Sequence, residues 1–283
     1  MPGRDLIDRV RKALAERYTV VTALGRGGNA CIFAATDRTG EQVAIKVLHP
    51  ELAVSVAADR FLREIRYASQ LHHPHIAPLL DSGETEYLLW FVMPFVPGES
   101  LRQVLRRERR LAIPTAARTA CEVLDALGHA HAHGIAHRDI KPDNIVLSPA
   151  GAVLVDLGIA RAIATSGDDR VTRSGFVVGT EEYMSPEQAQ GAPDVDGRTD
   201  LYSLGVVLFE CLAGRPPFSS PSAAAVLDMH QHHAVPDLHG LRRDVPRELA
   251  AVVARALAKS RAERWQRALE MREALLPFAT GHA

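Results

Sequence analysis

The hydrophobic pattern changes character once along the chain, at Pro94-Phe95-Val96-Pro97-Gly98, and no other feature constrains the fold as strongly. Before it, short apolar runs at Tyr18–Leu24, Cys31–Thr36 and Val43–Leu48, and two more near Ala77–Asp81 and Tyr87–Met93, predict five strands. Asp37-Arg38-Thr39-Gly40 reads as a hairpin turn between two of them. One helix is predicted over Ala57–Leu71, ended by His73-Pro74, because the residue before proline is pushed out of the α region. After the break the apolar spacing is helical over Thr115–His133, Arg198–Ala213, Ala223–His232, Pro246–Ala258 and Arg267–Leu276. Pro114 opens the first of these helices and Gly134 closes it. Leu6, Val10 and Leu14 at helical spacing make residues 1–17 an amphipathic flanking helix. The expectation is an α+β chain, with a small β-rich lobe over 18–95, a larger α-helical lobe over 96–280, and a ligand cleft at their junction.

With 283 residues, 47% of them hydrophobic, the chain can bury one large domain or two lobes. A net charge of -1 supplies no field to draw nucleic acid or an anionic membrane, so no nucleic-acid partner is expected. The three cysteines, Cys31, Cys121 and Cys211, are odd in number and widely spaced, which reads as reduced thiols and a cytoplasmic location. No run approaches the ~20 apolar residues of a membrane span, and no signal-peptide core precedes Tyr18. Any membrane anchor is expected to lie outside these residues.

Chemistry concentrates in His137-Arg138-Asp139-Ile140-Lys141-Pro142-Asp143-Asn144, with Asp156-Leu157-Gly158 following. In this order Asp139 can take a hydroxyl proton, Lys141 can neutralise a transferring phosphoryl group, and Asn144 and Asp156 can share Mg²⁺. Upstream, Leu24-Gly25-Arg26-Gly27-Gly28 is a glycine turn whose backbone can approach phosphate oxygens. Such a turn also serves dinucleotide folds, but there it continues into a helix, whereas here a strand follows. The Gly-Lys-Ser/Thr ending of a Walker loop is absent. Only four lysines stand against 29 arginines, and two of the four, Lys46 and Lys141, fall in these segments. Lys46 lies in an apolar strand, where an unpaired ammonium is costly. It is read as the partner of Glu64, aimed at the α/β-phosphates; the bland alternative is a lysine snorkelling at a strand edge.

Taken with Val43-Ala44-Ile45-Lys46, Gly179-Thr180, Ser185-Pro186-Glu187, Asp200-Leu201-Tyr202-Ser203-Leu204-Gly205 and Arg264, these motifs resemble the eukaryotic-like protein kinase family, in its bacterial Ser/Thr branch, over residues 18–280. The resemblance implies a bilobal kinase fold and transfer of the ATP γ-phosphoryl group to Ser/Thr hydroxyls of protein substrates, with Mg²⁺ or Mn²⁺. It implies that Ile32 and Ala44 cover the adenine, that Val146 supports it, that Met93 is the gatekeeper, and that the Pro94 carbonyl and Val96 amide meet its edge. Glu187 should pair with Arg264, and Asp200 should hold the catalytic loop backbone. Lys141 and Thr180 follow the Ser/Thr pattern. Ala30, Leu157, Ser185 and Pro94 depart from the usual residues, and none of the four removes a group the chemistry needs.

Arg138 before Asp139 implies an activation segment ordered by phosphate, with Thr172 as first site and Ser174 as second. A homodimer for trans-autophosphorylation is an expected partner. Two rival readings are a nucleotide-binding pseudokinase scaffold, which ATP turnover would exclude, and a small-molecule phosphotransferase, against which the long Asp156–Glu187 segment argues. The histidines at 129, 131, 133 and 137 include an i, i+4 pair, but no Cys or acidic residue completes a metal site there, and His137 is read as packing. The basic run Arg102–Arg110 reads as a solvated helix face, with a docking site for acidic partners as the alternative.

Overall fold

The computed structural model describes residues 2–26, 30–48, 65, 69–85, 88–156 and 181–280. They fall into two compact units, one from the described residues of Met1–His72 and Ala77–Val96, the other from those of His73–Ile76, Pro97–Gly158 and Val178–Ala283.

The first unit begins with α1 (Pro2–Leu14), followed by β1 (Tyr18–Arg26), β2 (Ala30–Asp37), β3 (Gln42–Leu48), β4 (Asp81–Thr85) and β5 (Leu88–Pro94). The strands pair antiparallel in the order β1-β2-β3-β5-β4. The β2–β3 turn is fastened by Asp37, whose Oδ1 accepts from the Thr39 amide (2.8 Å), the Thr39 hydroxyl (2.7 Å) and the Glu41 amide (2.9 Å). Register sorts the side chains, because residues directly opposed across a ladder project to the same face. Ile32 opposes Lys46, which opposes Phe91, and Ala34 opposes Ala44, which opposes Met93, so all six share one face. The other face carries Phe33, Ala35, Val43, Ile45, Val47, Trp90 and Val92, and packs with Val10 and Leu14 of α1 into one core. Arg11 fastens the helix to the sheet edge by donating to the carbonyls of Val20 (3.2 Å) and Val21 (3.0 Å).

The strand expected at Ala77–Asp81 is corrected: β4 starts at Asp81. Pro78 has no amide to give a ladder, so pairing with β5 begins only beyond it, with Leu80 N–H to the Val92 carbonyl at 2.8 Å. The predicted helix Ala57–Leu71 lies outside the described residues except at its end, where the Ser69 amide bonds the Ile65 carbonyl.

The second unit contains β6 (Glu99–Ser100), α2 (Leu101–Glu108), α3 (Ile113–Ala132), β7 (Ile145–Ser148), β8 (Gly151–Leu154), α4 (Pro186–Ala189), α5 (Arg198–Ala213), α6 (Ala223–His232), α7 (Leu238–Leu241), α8 (Arg247–Ala256) and α9 (Ala268–Ala279). This largely helical part also carries a small antiparallel sheet, β6-β7-β8, whose strands of two to four residues are too short to show a period. Helix α5 is buried from Thr199 to Leu212, as a helix apolar on all sides must be, and it forms the axis of the unit. It stops at Gly214, whose φ of 82° closes the last turn and whose amide bonds the Glu210 carbonyl. Among the buried polar residues on α5, Asp200 binds the His137 and Arg138 amides, Ser203 donates to the Tyr183 carbonyl, and Glu210 accepts from the Tyr183 hydroxyl.

On α6, His230 is fully buried and bridges the Tyr202 hydroxyl (2.8 Å) and the Glu182 carbonyl (3.0 Å). Burial, and then the Lys259 ammonium, push its pKa from 6.5 down to about 4. A base with a depressed folded pKa binds fewer protons than the unfolded chain, so its contribution is complete above about pH 6.5 and lost as pH falls toward 4. Between those limits wild type should lose about 3 kcal/mol more than His230→Gln in denaturant melts at stepped pH. Parallel pH curves would show that His230 does not titrate in this window.

Candidate active site

The segment His137–Asn144 is assembled from Asp200 outward. This carboxylate, fully buried in the first turn of α5, accepts from the Arg138 amide (2.7 Å), the His137 amide (2.8 Å) and His131 Nε2 (2.8 Å). Two charge-assisted bonds to consecutive amides hold Arg138 at φ 62°, a left-handed conformation that costs a non-glycine residue about 1–3 kcal/mol. The Arg138 carbonyl accepts from Gln188 Nε2 at 2.8 Å, and its guanidinium donates to the Val195 carbonyl at 3.1 Å. A Cβ at Gly197 would come within 2.7 Å of the His131 ring, so glycine is required where the chain passes it. His137 is buried and its pKa is lowered, first by burial, which keeps the ring neutral.

The turn that follows carries Asp139, Lys141 and Asn144. Asp139 Oδ2 accepts from Lys141 Nζ at 2.7 Å and from Asn144 Nδ2 at 3.0 Å, and the same amide nitrogen donates to the Asp139 carbonyl at 2.8 Å. Residues Pro142–Asn144 form one 3-10 turn that brings the asparagine back onto the aspartate. A carboxylate held in one rotamer beside an ammonium suits proton acceptance next to a transferring anion. The Val155 amide bonds the Asn144 carbonyl at 3.1 Å, and Leu154 bonds the His75 carbonyl at 2.9 Å, so the chain that carries buried Asp156 runs against the turn. With the Asn144 amide hydrogens committed to Asp139, its carboxamide oxygen is the atom offered to a cation. That oxygen and the Asp156 carboxylate are hard donors, a pair that fits Mg²⁺. Behind them, Val146 lies in β7 opposite Val153.

In the first unit Lys46 is buried, opposite Ile32 and Phe91, with its ammonium 5.7 Å from the Phe91 ring centre. Ala44 and Met93 are buried beside it on the same face, and Pro94 ends β5, two residues before Val96. Gly25 follows a register shift in β1, and a Cβ there would meet nothing within 4 Å among the described residues. Leu24 is exposed beside it, and Arg26 ends the strand. Gly27, Gly28, Glu64, Leu157, Gly158, Thr172, Ser174 and Thr180 lie outside the described residues.

Beyond the catalytic turn, Glu187 takes two bonds of 2.8 Å from Arg264, which is fully buried over the Tyr202 ring and also donates to the carbonyls of Ala258 and Lys259. Burial alone would raise the Glu187 pKa; the Arg264 bonds outweigh it, and the net shift is downward. Ser185 caps α4 in a capping box with Gln188 and meets the Thr199 hydroxyl at 2.5 Å. Sequence reasoning read Ser185 within the Ser185-Pro186-Glu187 motif as a departure and the histidine at 131 only as one of a cluster, and it did not single out Gln188. The Ser-x-x-Gln spacing ahead of α4 was the signal for the cap.

The arrangement has known counterparts. A protein kinase domain family matches residues 18–275. The chain is 42% identical over 277 residues to the serine/threonine-protein kinase PknB of Mycolicibacterium smegmatis, covering 95% of this chain and 44% of that one. It is 37% identical over 267 residues to the probable serine/threonine-protein kinase PknB of Lactococcus lactis, covering 93% and 42%. The chain thus spans less than half the length of these relatives. Among solved structures, a point mutant of the PknI kinase domain of Mycobacterium tuberculosis aligns with a TM-score of 0.73 at 31% identity, covering 93% of this chain and 95% of that one.

Proposed function

The chain belongs to the protein kinase family, and from that premise we propose that it phosphorylates Ser and Thr hydroxyls of proteins through the turn built on Asp139, Lys141 and Asn144. ATP, a divalent cation and a protein acceptor come with the family. The observation that carries the reading is the single carboxylate oxygen of Asp139 held by both Lys141 and Asn144, on a loop whose backbone is bonded to buried Asp200.

In the reaction the acceptor oxygen forms a bond to the γ-phosphorus while the bond to the β-phosphate bridging oxygen breaks. ADP leaves, and the acceptor proton passes to Asp139. Lys141 neutralises the charge on the transferring group. Asn144 and Asp156 would hold the cation, Mg²⁺ or Mn²⁺, which would neutralise the phosphate oxygens when bound. Lys46 would pair with Glu64 and meet the α/β-phosphates. The Leu24–Gly28 turn covers them, and Ile32, Ala44, Met93, Pro94, Val96 and Val146 receive the adenine.

The activation segment is the switch. Arg138 Nε is buried and has no hydrogen-bond partner among the described residues, which suits a cation reserved for a phosphate on Thr172, with Ser174 in second place. That phosphate would order the segment around Thr180. Trans-autophosphorylation would need a transient homodimer, and the working compartment would be the cytoplasm. Among the described residues no helix is long and apolar enough to cross a membrane.

One experiment tests both parts: incubation of the purified chain with Mg·ATP, with phosphosite mapping and transfer to an exogenous protein. EDTA should stop transfer and Mg²⁺ restore it. Preincubated wild type should outpace Thr172→Ala/Ser174→Ala by roughly tenfold or more. Absence of any transfer would leave a nucleotide-binding scaffold, and equal rates would move the switch out of this loop.

A further inference from the structure

Arg102 stands in a run that the sequence presents as a solvated basic face, yet its side chain is only 18% exposed. It leaves the first turn of α2 and reaches three elements distant in sequence. Nε donates to Asp143 Oδ2 at 3.2 Å, Nη1 to Glu210 Oε1 at 2.9 Å, and Nη2 to the Tyr183 hydroxyl at 2.5 Å. Tyr183 in turn donates to Glu210 Oε2 at 2.5 Å and presents its ring 5.5 Å from the guanidinium carbon. Burial alone would make Arg102 easier to deprotonate; Tyr183 and the two carboxylates outweigh that, and its pKa is raised.

Each partner occupies a telling position. Asp143 is the middle residue of the Pro142–Asn144 turn, next to Asn144 and two residues after Lys141. Tyr183 closes the Glu181–Tyr183 turn, three residues beyond Thr180. Glu210 is buried on α5. The charges do not balance: one guanidinium serves two carboxylates, and Glu182 lies close enough for Glu210, after burial, to raise its pKa. Asp143 is 49% exposed, so the pair opens to solvent on the side of the catalytic turn. Two carboxylates set to grip a planar guanidinium are a seat for an arginine, and the chain supplies that arginine itself.

We propose that Arg102 is a positioning and specificity-determining residue: it braces the turn that carries Lys141 and Asn144, and by filling the Asp143–Glu210 seat it prevents selection of a basic side chain in the substrate. This rests on the reading of Asp139 as the base that faces the acceptor. Emptying the seat exposes an acidic fork four residues along the same loop from that base. A lysine or arginine in the peptide would then find there the bonds that Arg102 now makes.

The test is kcat/KM profiling of wild type, Arg102→Ala and Arg102→Lys on a positional library of Ser/Thr peptides with Mg·ATP. Wild type should be indifferent to Arg or Lys at the position facing the fork. Arg102→Ala should acquire a preference for them of roughly five- to tenfold, weakening as salt is raised. Its kcat on a neutral peptide should fall about tenfold while KM for ATP holds, because the turn loses its brace without touching the nucleotide. A lysine cannot fork both carboxylates, so Arg102→Lys should show the same preference at about twofold, and it serves if the alanine variant does not fold. A folded variant whose peptide profile superimposes on that of wild type overturns the proposal, even if its activity has dropped. Asp139→Asn run alongside separates the two readings. Retained transfer there sinks the assignment of the base, whereas an inactive Asp139→Asn beside an unchanged Arg102 profile sinks this proposal alone.

Discussion

Asp139→Asn should lose phosphoryl transfer by roughly 10²–10⁴-fold while melting close to wild type. The substitution keeps the shape and removes the charge. Asp139 Oδ2 is the common acceptor for Lys141 and Asn144, so an amide there offers the acceptor hydroxyl no base and leaves Lys141 without its counter-ion. Folding should tolerate this. Lys141 is 20% exposed and can turn its ammonium to water, and the loop backbone is held by Asp200 through bonds that do not involve the Asp139 side chain. Single-turnover rates with saturating Mg·ATP, set beside a thermal melt, decide the matter. Retention of more than about a tenth of wild-type transfer would remove Asp139 from its role.

Loss of either Glu187 or Arg264 should cost about 3–5 kcal/mol, because the surviving charge is left buried and uncompensated. Arg264→Ala has further consequences, since the carbonyls of Ala258 and Lys259 lose a donor. It also frees the neighbouring Lys259, whose pKa is depressed to about 8 by burial and then by Arg264. The double variant should lose less than the sum of the singles, and strict additivity would show that the pair contributes no coupling. The pH dependence has a definite sign. The folded pKa of Glu187 lies below its ordinary 4.5, so the coupling is complete above that value and disappears as pH falls through the depressed one.

The helices of the second unit were legible in the sequence where their ends carry caps. Arg198–Ala213 stops at Gly214 and Ala223–His232 starts at capping Ser222, and both ranges match their predicted bounds. The strand at Ala77–Asp81 was misplaced because apolar content was weighed above the missing amide of Pro78. The β7–β8 hairpin escaped notice because a four-residue strand has no measurable alternation. Motif spacing singled out Asp139, Asn144 and Asp156 in the sequence; Asp139 bonds Asn144 of the adjoining turn, and Asp156 lies two residues past β8. Arg102 was misread for a different reason. Its partners lie 41, 81 and 108 residues away, and local charge patterning is blind to contacts at that range.

Helix α1 has a consequence for where this catalytic piece can be cut. The family match begins at Tyr18, but Val10 and Leu14 are buried against the sheet face that carries Phe33, Val43, Ile45 and Val92. A chain trimmed to the matched boundary would expose that apolar face to water, and exposed apolar sheet faces drive association. The smallest piece that keeps its own surface polar therefore begins ahead of the matched domain, and the leading helix belongs to the folding unit as much as the strands it covers.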